Sequence, residues 1–232
     1  MSISAFPREL ALRAASTLAP GIDVSITVRQ LGVTVRAGSS SDAAARCDQA
    51  ESLADDGPCI DAMDTQVTCV VPSVTDGQGW KAWRRQAARE GFVSALAVPA
   101  SLDESIAVAV NLYSGTPARW TAEQQATAGG YARIGADMVR LCLARAELDD
   151  GTSGHYRRMS DLVVTEHAIG AIMQANDCPE HTARHVLESA SLRRNISRRR
   201  IAETILRTLV VSDDPVPTGE GHEHPGSDGL NA

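Results

Sequence analysis

The chain has 232 residues, of which 43% are hydrophobic and 3% aromatic, and its formal net charge is -7. That length allows one large domain or two small ones, with cores built from aliphatic side chains. The five cysteines are scattered without a CxxC pair, which argues against a zinc knuckle or a disulfide framework. No segment resembles a signal peptide or reaches about 18 apolar residues, so we expect a cytoplasmic protein without a membrane span.

The first 120 residues predict an α+β domain with an antiparallel sheet and flanking helices. Residues 22–28 alternate between apolar and polar side chains, with Val24 and Ile26 on the apolar side, which is typical of a strand with one buried face. Val33 and Val35 continue the pattern after Gly32, so the two segments predict a hairpin. Further strands are predicted at 68–71, 95–98 and 106–112, and the almost continuously apolar last one is expected at the centre. Helices are predicted at 6–18, 42–53, from residue 58 and within 77–91.

A long helix is predicted from the capping motif at Thr121 and Gln124 to about residue 148. It carries apolar side chains at spacings of three, four and three, as a heptad seam requires. The members of this seam are Tyr131, Ile134, Met138 and Leu141. The seam predicts a homodimer through this helix, or alternatively a stripe that packs on the sheet of its own domain. Both hold if one end packs on the sheet and the other pairs with a second chain.

The remaining chain divides into a linker, a helical domain and a tail. Residues 149–154 interrupt the long helix and mark the boundary between a 21–148 domain, preceded by an N-terminal helix in 1–20, and a 155–211 domain. The second domain has helical periodicity at 155–175, 179–192 and 196–209, which predicts a three-helix bundle. Residues 212–232 are rich in proline, glycine and acids, so we expect a disordered acidic tail.

Three groups of residues are candidates for catalysis or metal binding. Asp61 and Asp64 are spaced as an acid–base pair, but acids in the first turns of a helix are favoured by its dipole alone. Cys59 follows a proline at a helix start, where a thiolate is favoured, yet a small buried residue also suits this position. His222 and His224 lack a third ligand and fixed geometry in the tail. No nucleotide-binding glycine motif is present, so we expect a protein that is not an enzyme.

Cationic charge is concentrated in the second domain. Five of the ten residues at 191–200 are arginine, and residues 155–211 hold nine arginines against six acids, with four histidines. Such an asymmetry on an acidic chain is typical of a phosphate-binding module. Tyr156 is the one aromatic residue here, which argues against base stacking on aromatic platforms. The alternative is a dimerising bundle with a solvated charged face.

Two parts of the chain resemble known families. The sequence AIGAIM at 168–173, Cys178, ASLRRN at 190–195 and IAE at 201–203 resemble the ANTAR domain, a three-helix module of bacterial antitermination regulators. The sequence GPCIDA at 57–62, the segment 91–98 and NLY at 111–113 resemble the GAF sensor domain. Together the resemblances imply a GAF-like sensor at 21–148 followed by an ANTAR-like RNA-binding domain at 155–211.

The ANTAR resemblance implies dimers that bind paired stem-loops in a leader RNA and block a transcription terminator. The matching family positions are Gly170, Ser191 and Asn195. The residues that we expect to bind RNA are His167, Gly170, Ser191, Arg193, Arg194, Asn195, Arg198 and Arg199. Arg193, Arg194 and Arg198 are expected to contact phosphates, and the Asn195 amide to contact a base edge. His167 and Gly170 lie one turn apart, and the glycine allows close backbone approach.

Three positions depart from the family pattern. Ile169 and Ala175 replace basic residues of the family, and Ser197 stands where the family favours lysine. Arg198, Arg199 and Arg200 offer compensating charge. One alternative is therefore a ligand-sensing, protein-interaction regulator whose bundle has lost RNA binding, and another is DNA binding through a helix-turn-helix. The sensor domain is expected to bind a small-molecule signal, for which no residue is diagnostic of haem, nucleotide or metal.

Overall fold

The structure is a computed structural model that describes residues 6–102, 106–117, 119–148 and 159–209. The helices are α1 (Phe6–Leu18), α2 (Asp42–Ala54), α3 (Pro58–Thr65), α4 (Lys81–Arg89), α5 (Ala122–Leu148), α6 (Asp161–Asn176), α7 (Glu180–Arg194) and α8 (Arg198–Leu209). The strands are β1 (Ile22–Gln30), β2 (Val33–Ser39), β3 (Cys69–Val71), β4 (Ser94–Ser101) and β5 (Ile106–Ser114). None of these helices is both long and apolar enough to cross a membrane.

The five strands form one antiparallel sheet in the order β2-β1-β5-β4-β3. The apolar strand β5 lies at the centre, as its composition predicted, and the α+β fold is confirmed. The β1–β2 hairpin turns at Leu31 and Gly32, which have φ values of 49° and 82°. Two successive positive φ values match the twist of the strands, and glycine adopts them without a steric penalty. Among the described strands, β2 pairs only with β1 and is therefore an edge strand of the sheet.

The apolar face of the sheet packs against α1 and α5. Its core side chains come from alternate positions of each strand, as the period of two predicted, and include Val24, Ile26 and Val28. The side of α5 that lies on the sheet consists of Ala128, Ala132, Gly135 and Ala136. A Cβ on Gly135 would lie 3.2 Å from Val108 Cγ1, so small residues here allow close packing of α5. Of the predicted seam, Tyr131 packs against this core and its hydroxyl lies 3.0 Å from Thr17 Oγ1 of α1, whereas Ile134 and Leu141 are exposed.

The expectation that β1 has only one buried face is wrong, because its side chains on the opposite face of the sheet are also buried. Ser25 and Thr27 are 0% and 1% exposed because α2 and α3 cover them. Because α2 packs on this face of the sheet, its Asp48 side chain lies within a hydrogen-bond network. Its carboxylate accepts from Thr27 Oγ1 at 3.1 Å, from Asn111 Nδ2 at 3.3 Å and from Tyr113 OH at 2.8 Å. Alternation cannot distinguish a polar face that meets solvent from one that meets a polar layer.

A second carboxyl group of α2 is buried beside Asp48. Glu51 is 2% exposed, and its Oε1 accepts from the backbone N–H of Cys59 at 2.5 Å. Burial, and then the nearby charge of Asp48, raise the pKa of Glu51 well above its ordinary value. The charged form of Glu51 is therefore disfavoured in the folded protein.

Glu51→Gln is expected to stabilise the protein increasingly as the pH rises. Because the folded-state pKa is raised, the stabilising contribution of Glu51 is present below its unfolded pKa and is lost as the pH rises through the folded pKa. A tenfold difference in proton affinity between the folded and unfolded states corresponds to about 1.4 kcal/mol, and each kcal/mol to about 2–4 °C in Tm for this chain length. Thermal unfolding from pH 4 to 8 measures the difference in Tm between Glu51→Gln and wild type at each pH. Glu90→Gln is the contrasting variant, because Arg46 lowers the pKa of Glu90. Equal pH profiles for Glu51→Gln and wild type would contradict the prediction.

The three C-terminal helices form a bundle with its own apolar centre, which includes Ile172, Leu187 and Ile201 at 0% exposure. Helix α6 begins at Asp161 with Ser160 as its N-cap, so the predicted start at residue 155 is wrong. The Ser160 hydroxyl accepts the Val163 N–H, which fixes the start at this position. This centre is continuous with the apolar core of the sheet domain. The predicted linker at 149–154 and the tail at 212–232 lie outside the described residues.

Candidate nucleic-acid interface

The turn between α7 and α8 places the arginine-rich segment. Asn195 ends α7 in the left-handed conformation (φ 52°), and its N–H donates to Ser191 O. The Ser191 hydroxyl donates to Ile196 O at 2.6 Å, and Ser197 Oγ accepts the Arg200 N–H at 3.3 Å at the start of α8. Asparagine tolerates this conformation better than most residues, and serine is a good N-cap. Ser191 and Ser197 thus fix the turn, and Arg193, Arg194 and Arg198 project from it.

The predicted phosphate contacts are exposed but engaged within the protein. Arg193 Nη2 lies 2.7 Å from Asp55 Oδ2 of the sheet domain, and Arg198 Nη1 lies 3.1 Å from Glu188 Oε1. The two arginine side chains are 48% and 58% exposed. Ion pairs at such exposure contribute about 0–1 kcal/mol, so a phosphate group competes well with either carboxylate. Arg194 lies over the β1–β2 turn, where a Cβ on Gly32 would be 2.9 Å from its Nε.

Arg199 has a structural position at the base of the same segment. Its Nη1 lies 2.5 Å from Asp161 Oδ1 and 3.0 Å from Met159 O, and its Nε lies 2.8 Å from Glu203 Oε1. The side chain is 24% exposed. These contacts tie the start of α6 to α8, so Arg199 holds the bundle together and is less available than Arg198 for an external ligand.

The other predicted residues are exposed. The Asn195 side chain makes no hydrogen bond with any other residue in the described part of the chain, so its amide faces solvent with both donor and acceptor. His167 and Gly170 lie on the exposed side of α6. A Cβ added to Gly170 would meet nothing within 4 Å. The packing of the protein itself therefore does not require glycine here, which is compatible with close approach of a ligand.

Arg184 also belongs to this surface, although it was not among the residues predicted from the sequence. Arg184 makes a two-pronged contact with Glu166, with both N–O distances 3.0 Å, and a third at 2.7 Å with Glu180. With Arg198 and Arg199 it lines a groove between α6, α7 and the start of α8. The spacing of four residues between Glu180 and Arg184 on a helix would have indicated the ion pair between them. The contact with Glu166 depends on how two helices pack, which no local pattern contains.

The candidate catalytic residues are occupied by structural contacts. Cys59 is 1% exposed, and burial raises the pKa of its thiol well above the ordinary value, so the thiolate is disfavoured. Asp61 accepts from Trp80 Nε1 at 3.0 Å, and Asp64 lies 3.1 Å from Arg29. Among the described residues no cluster of three histidine, cysteine or acidic side chains is placed to hold a metal. His222 and His224 lie outside them.

Residues 156–206 match the family described as the ANTAR domain. The chain carries an ANTAR domain. The match lies inside the predicted 155–211 domain and includes the whole α7–α8 turn, so the resemblance stated for this part of the sequence is confirmed. ANTAR domains are RNA-binding domains of antitermination regulators, which places the exposed arginines of this turn on a domain of that class.

Two solved structures have a weak similarity to this chain at low sequence identity. A domain of a two-component sensor histidine kinase from Sinorhizobium meliloti 1021 has a TM-score of 0.47 and 16% identity, and the alignment covers 59% of this chain and 91% of that one. SdiA in complex with octanoyl-rac-glycerol has a TM-score of 0.46 and 11% identity, with 92% of this chain and 91% of that one covered. A comparison with curated proteins gave no match.

Proposed function

We propose that this protein is a cytoplasmic, non-enzymatic regulator that binds paired stem-loops in RNA and thereby prevents transcription termination. The observation that carries the proposal is the turn at 191–200 of the ANTAR domain, which presents Arg193, Arg194, Arg198 and Asn195 on one exposed segment. The guanidinium groups bind phosphates of the folded RNA, and the Asn195 amide contacts a base edge in a loop. His167 and Gly170 extend the contact onto α6.

The N-terminal domain acts as the signal receiver in this proposal. Its antiparallel sheet with helices on both faces is the arrangement that the GAF resemblance implies. Beneath α2 and α3 it holds a buried polar layer that includes Asp48, Glu51 and Asn111. Asn111 Oδ1 and Ser52 Oγ have no hydrogen-bond partner among the described residues. Buried groups of this kind are sensitive to any change in their surroundings.

The proposal includes a homodimer formed through α5. Ile134 and Leu141 lie seven residues apart on one side of the helix and are 46% and 63% exposed, whereas the alanine side packs on the sheet. Exposed apolar side chains at heptad spacing favour pairing with a second helix. We expect Leu141→Glu to shift the protein from dimer to monomer in sedimentation velocity, with Asp137→Glu as the control. A wild-type monomer at all concentrations would contradict this part.

A second candidate function is supported by the departures from the family pattern. Ile169 is 1% exposed and packs in the core, so this position cannot present a basic group to a ligand. Leu162 and Leu192 are 68% and 83% exposed on the same domain. Exposed apolar side chains suit a protein partner. A regulator that acts through protein contacts with this bundle is therefore the alternative.

RNA binding is tested with a synthetic RNA that carries two adjacent stem-loops, measured by fluorescence anisotropy across a salt series. We expect affinity to fall steeply with salt, and Arg198→Ala to flatten the slope by about 0.7–0.9 per lost phosphate contact. Arg85→Ala is the matched control, because Arg85 is exposed on the sheet domain. Preference for a DNA duplex would favour the helix-turn-helix alternative. Absence of binding to either nucleic acid would favour the protein-interaction alternative.

A further inference from the structure

Beside the apolar core that the two domains share, an amide side chain of the ANTAR domain pairs with the edge strand β2 of the sheet. Asn176 Nδ2 donates to Thr34 O at 2.9 Å, and Asn176 Oδ1 accepts the Arg36 N–H at 3.2 Å. These are the carbonyl and the amide that a neighbouring strand would pair with, and Asn176 is 1% exposed. Gln49 Nε2 adds a contact with Asp177 O at 2.5 Å. The Asn176 side chain thus makes two of the hydrogen bonds that a sixth strand would make with β2.

Docking turns part of the predicted RNA surface towards the sheet domain. Arg193 pairs with Asp55, and Arg194 covers the hairpin turn at Gly32. A guanidinium that donates to a carboxylate has fewer N–H groups left for a phosphate, so the two ligands compete for Arg193. The docked arrangement therefore competes with RNA for Arg193, whereas Arg194 stays exposed beside the hairpin turn.

Asp55 connects this surface to the interior of the sheet domain. One carboxylate oxygen lies 2.7 Å from Arg29 Nη1 and the other lies 2.7 Å from Arg193 Nη2. Asp55 is the C-cap of α2 in the left-handed conformation (φ 49°, ψ 39°), so the end of α2 sets its position. The buried side of the same helix carries Asp48 and Glu51. A displacement of α2 thus moves the carboxylate that holds Arg193.

We propose that this conformation masks Arg193 of the RNA-binding turn, that Asp55 holds Arg193 as a substitute for an RNA phosphate, and that movement of α2 releases it. The inference rests on the proposed RNA binding and adds how that binding is controlled. Docking and RNA binding compete for Arg193, so each weakens the other by the same factor. The ion pair is partly exposed, so it contributes a modest factor of about two to five to this competition.

The test compares Asp55→Asn with Asp64→Asn in the full chain. Each substitution removes one negative charge that faces Arg29, but only Asp55 touches Arg193. Asparagine keeps the left-handed cap at position 55. Two readouts are needed: the Kd for the synthetic two-stem-loop RNA, and hydrogen exchange of the Arg36 amide without RNA, because Asn176 protects that amide in the docked state.

We expect Asp55→Asn to tighten RNA binding about two- to fivefold and to accelerate exchange at Arg36, while Asp64→Asn changes neither beyond experimental error. Arg193→Ala is expected to accelerate exchange in the same way but to weaken RNA binding. This substitution removes the ion pair with Asp55 and also the proposed contact of Arg193 with an RNA phosphate. Equal Kd values and equal exchange rates for Asp55→Asn and Asp64→Asn would overturn the masking proposal. If Asp55→Asn alone accelerates exchange but no variant binds RNA, the masking proposal is overturned together with the proposed function. The Asp55–Arg193 ion pair would then serve only to hold the two domains together.

Discussion

Asn176→Asp is expected to weaken the docking of the ANTAR domain on the sheet domain. A carboxylate at this position still accepts the Arg36 N–H, but it cannot donate to Thr34 O, and it places a charge at a site that is 1% exposed. An unsatisfied buried group costs about 1–3 kcal/mol, and a charged group more. We therefore expect the Arg36 amide to exchange at least about tenfold faster, which is measured residue by residue by NMR.

The control for this substitution is Gln174→Glu. Gln174 lies on the exposed side of the same helix, so this variant adds the same charge to α6 without entering the interface. Slow exchange at Arg36 in Asn176→Asp, equal to that of Gln174→Glu, would show that the amide bridge does not hold the domains together. If the interface masks the RNA-binding turn, Asn176→Asp also tightens RNA binding, although it adds negative charge to the protein.

Ile172→Ala is expected to destabilise the ANTAR bundle by about 2–5 kcal/mol, because it leaves a cavity among side chains that are fully buried. The bundle holds the α7–α8 turn in place, so the loss extends to RNA binding near the unfolding temperature. Urea unfolding followed by circular dichroism measures the change. Leu162→Ala removes a similar side chain from the same helix at a position that is 68% exposed, and we expect it to change stability by less than about 0.5 kcal/mol. Equal effects of the two substitutions would contradict the bundle packing.

Local patterns predict the elements of this fold because each pattern has a local physical cause. The capping motif at Thr121 and Gln124 forms reciprocal hydrogen bonds of 3.1 and 3.0 Å, and α5 begins at the next residue. The alternation in β1 assigns Val24 and Ile26 to the apolar core correctly. The predicted start of α6 is too early, because apolar periodicity does not indicate where Ser160 begins the helix.

The contacts between the two domains, on which the proposed regulation depends, are not predictable from local patterns. The sequence around Asn176 indicates only the end of a helix, and its role at the sheet edge depends on residues more than a hundred positions earlier in the chain. The arginine segment is correctly predicted to project from a turn, but its pairing with Asp55 is not, since ion pairs across domains leave no local pattern. The expectation of a single buried face for β1 is wrong because alternation alone cannot identify a second covering layer.

In the proposed switch, the arginines of the turn have two alternative ligands, carboxylates of the protein and phosphates of RNA. In the docked state Arg193 and Arg198 bind carboxylates of the protein, and both pairs are exposed enough to exchange partners. Arg199 is held by three groups and stays with the bundle in either state. A weak internal ligand suits a switch, because a strongly bound carboxylate would prevent RNA binding altogether.

The most direct measurement for the central claim is an NMR titration of the full chain with the synthetic two-stem-loop RNA, followed at each backbone amide. If the arginine-rich turn binds RNA, we expect chemical-shift changes concentrated at residues 191–200 and around Gly170, together with loss of protection at Arg36 as docking weakens. Changes confined to the sheet domain, or an unchanged spectrum at RNA concentrations that saturate the anisotropy signal, would contradict RNA binding by the arginine-rich turn.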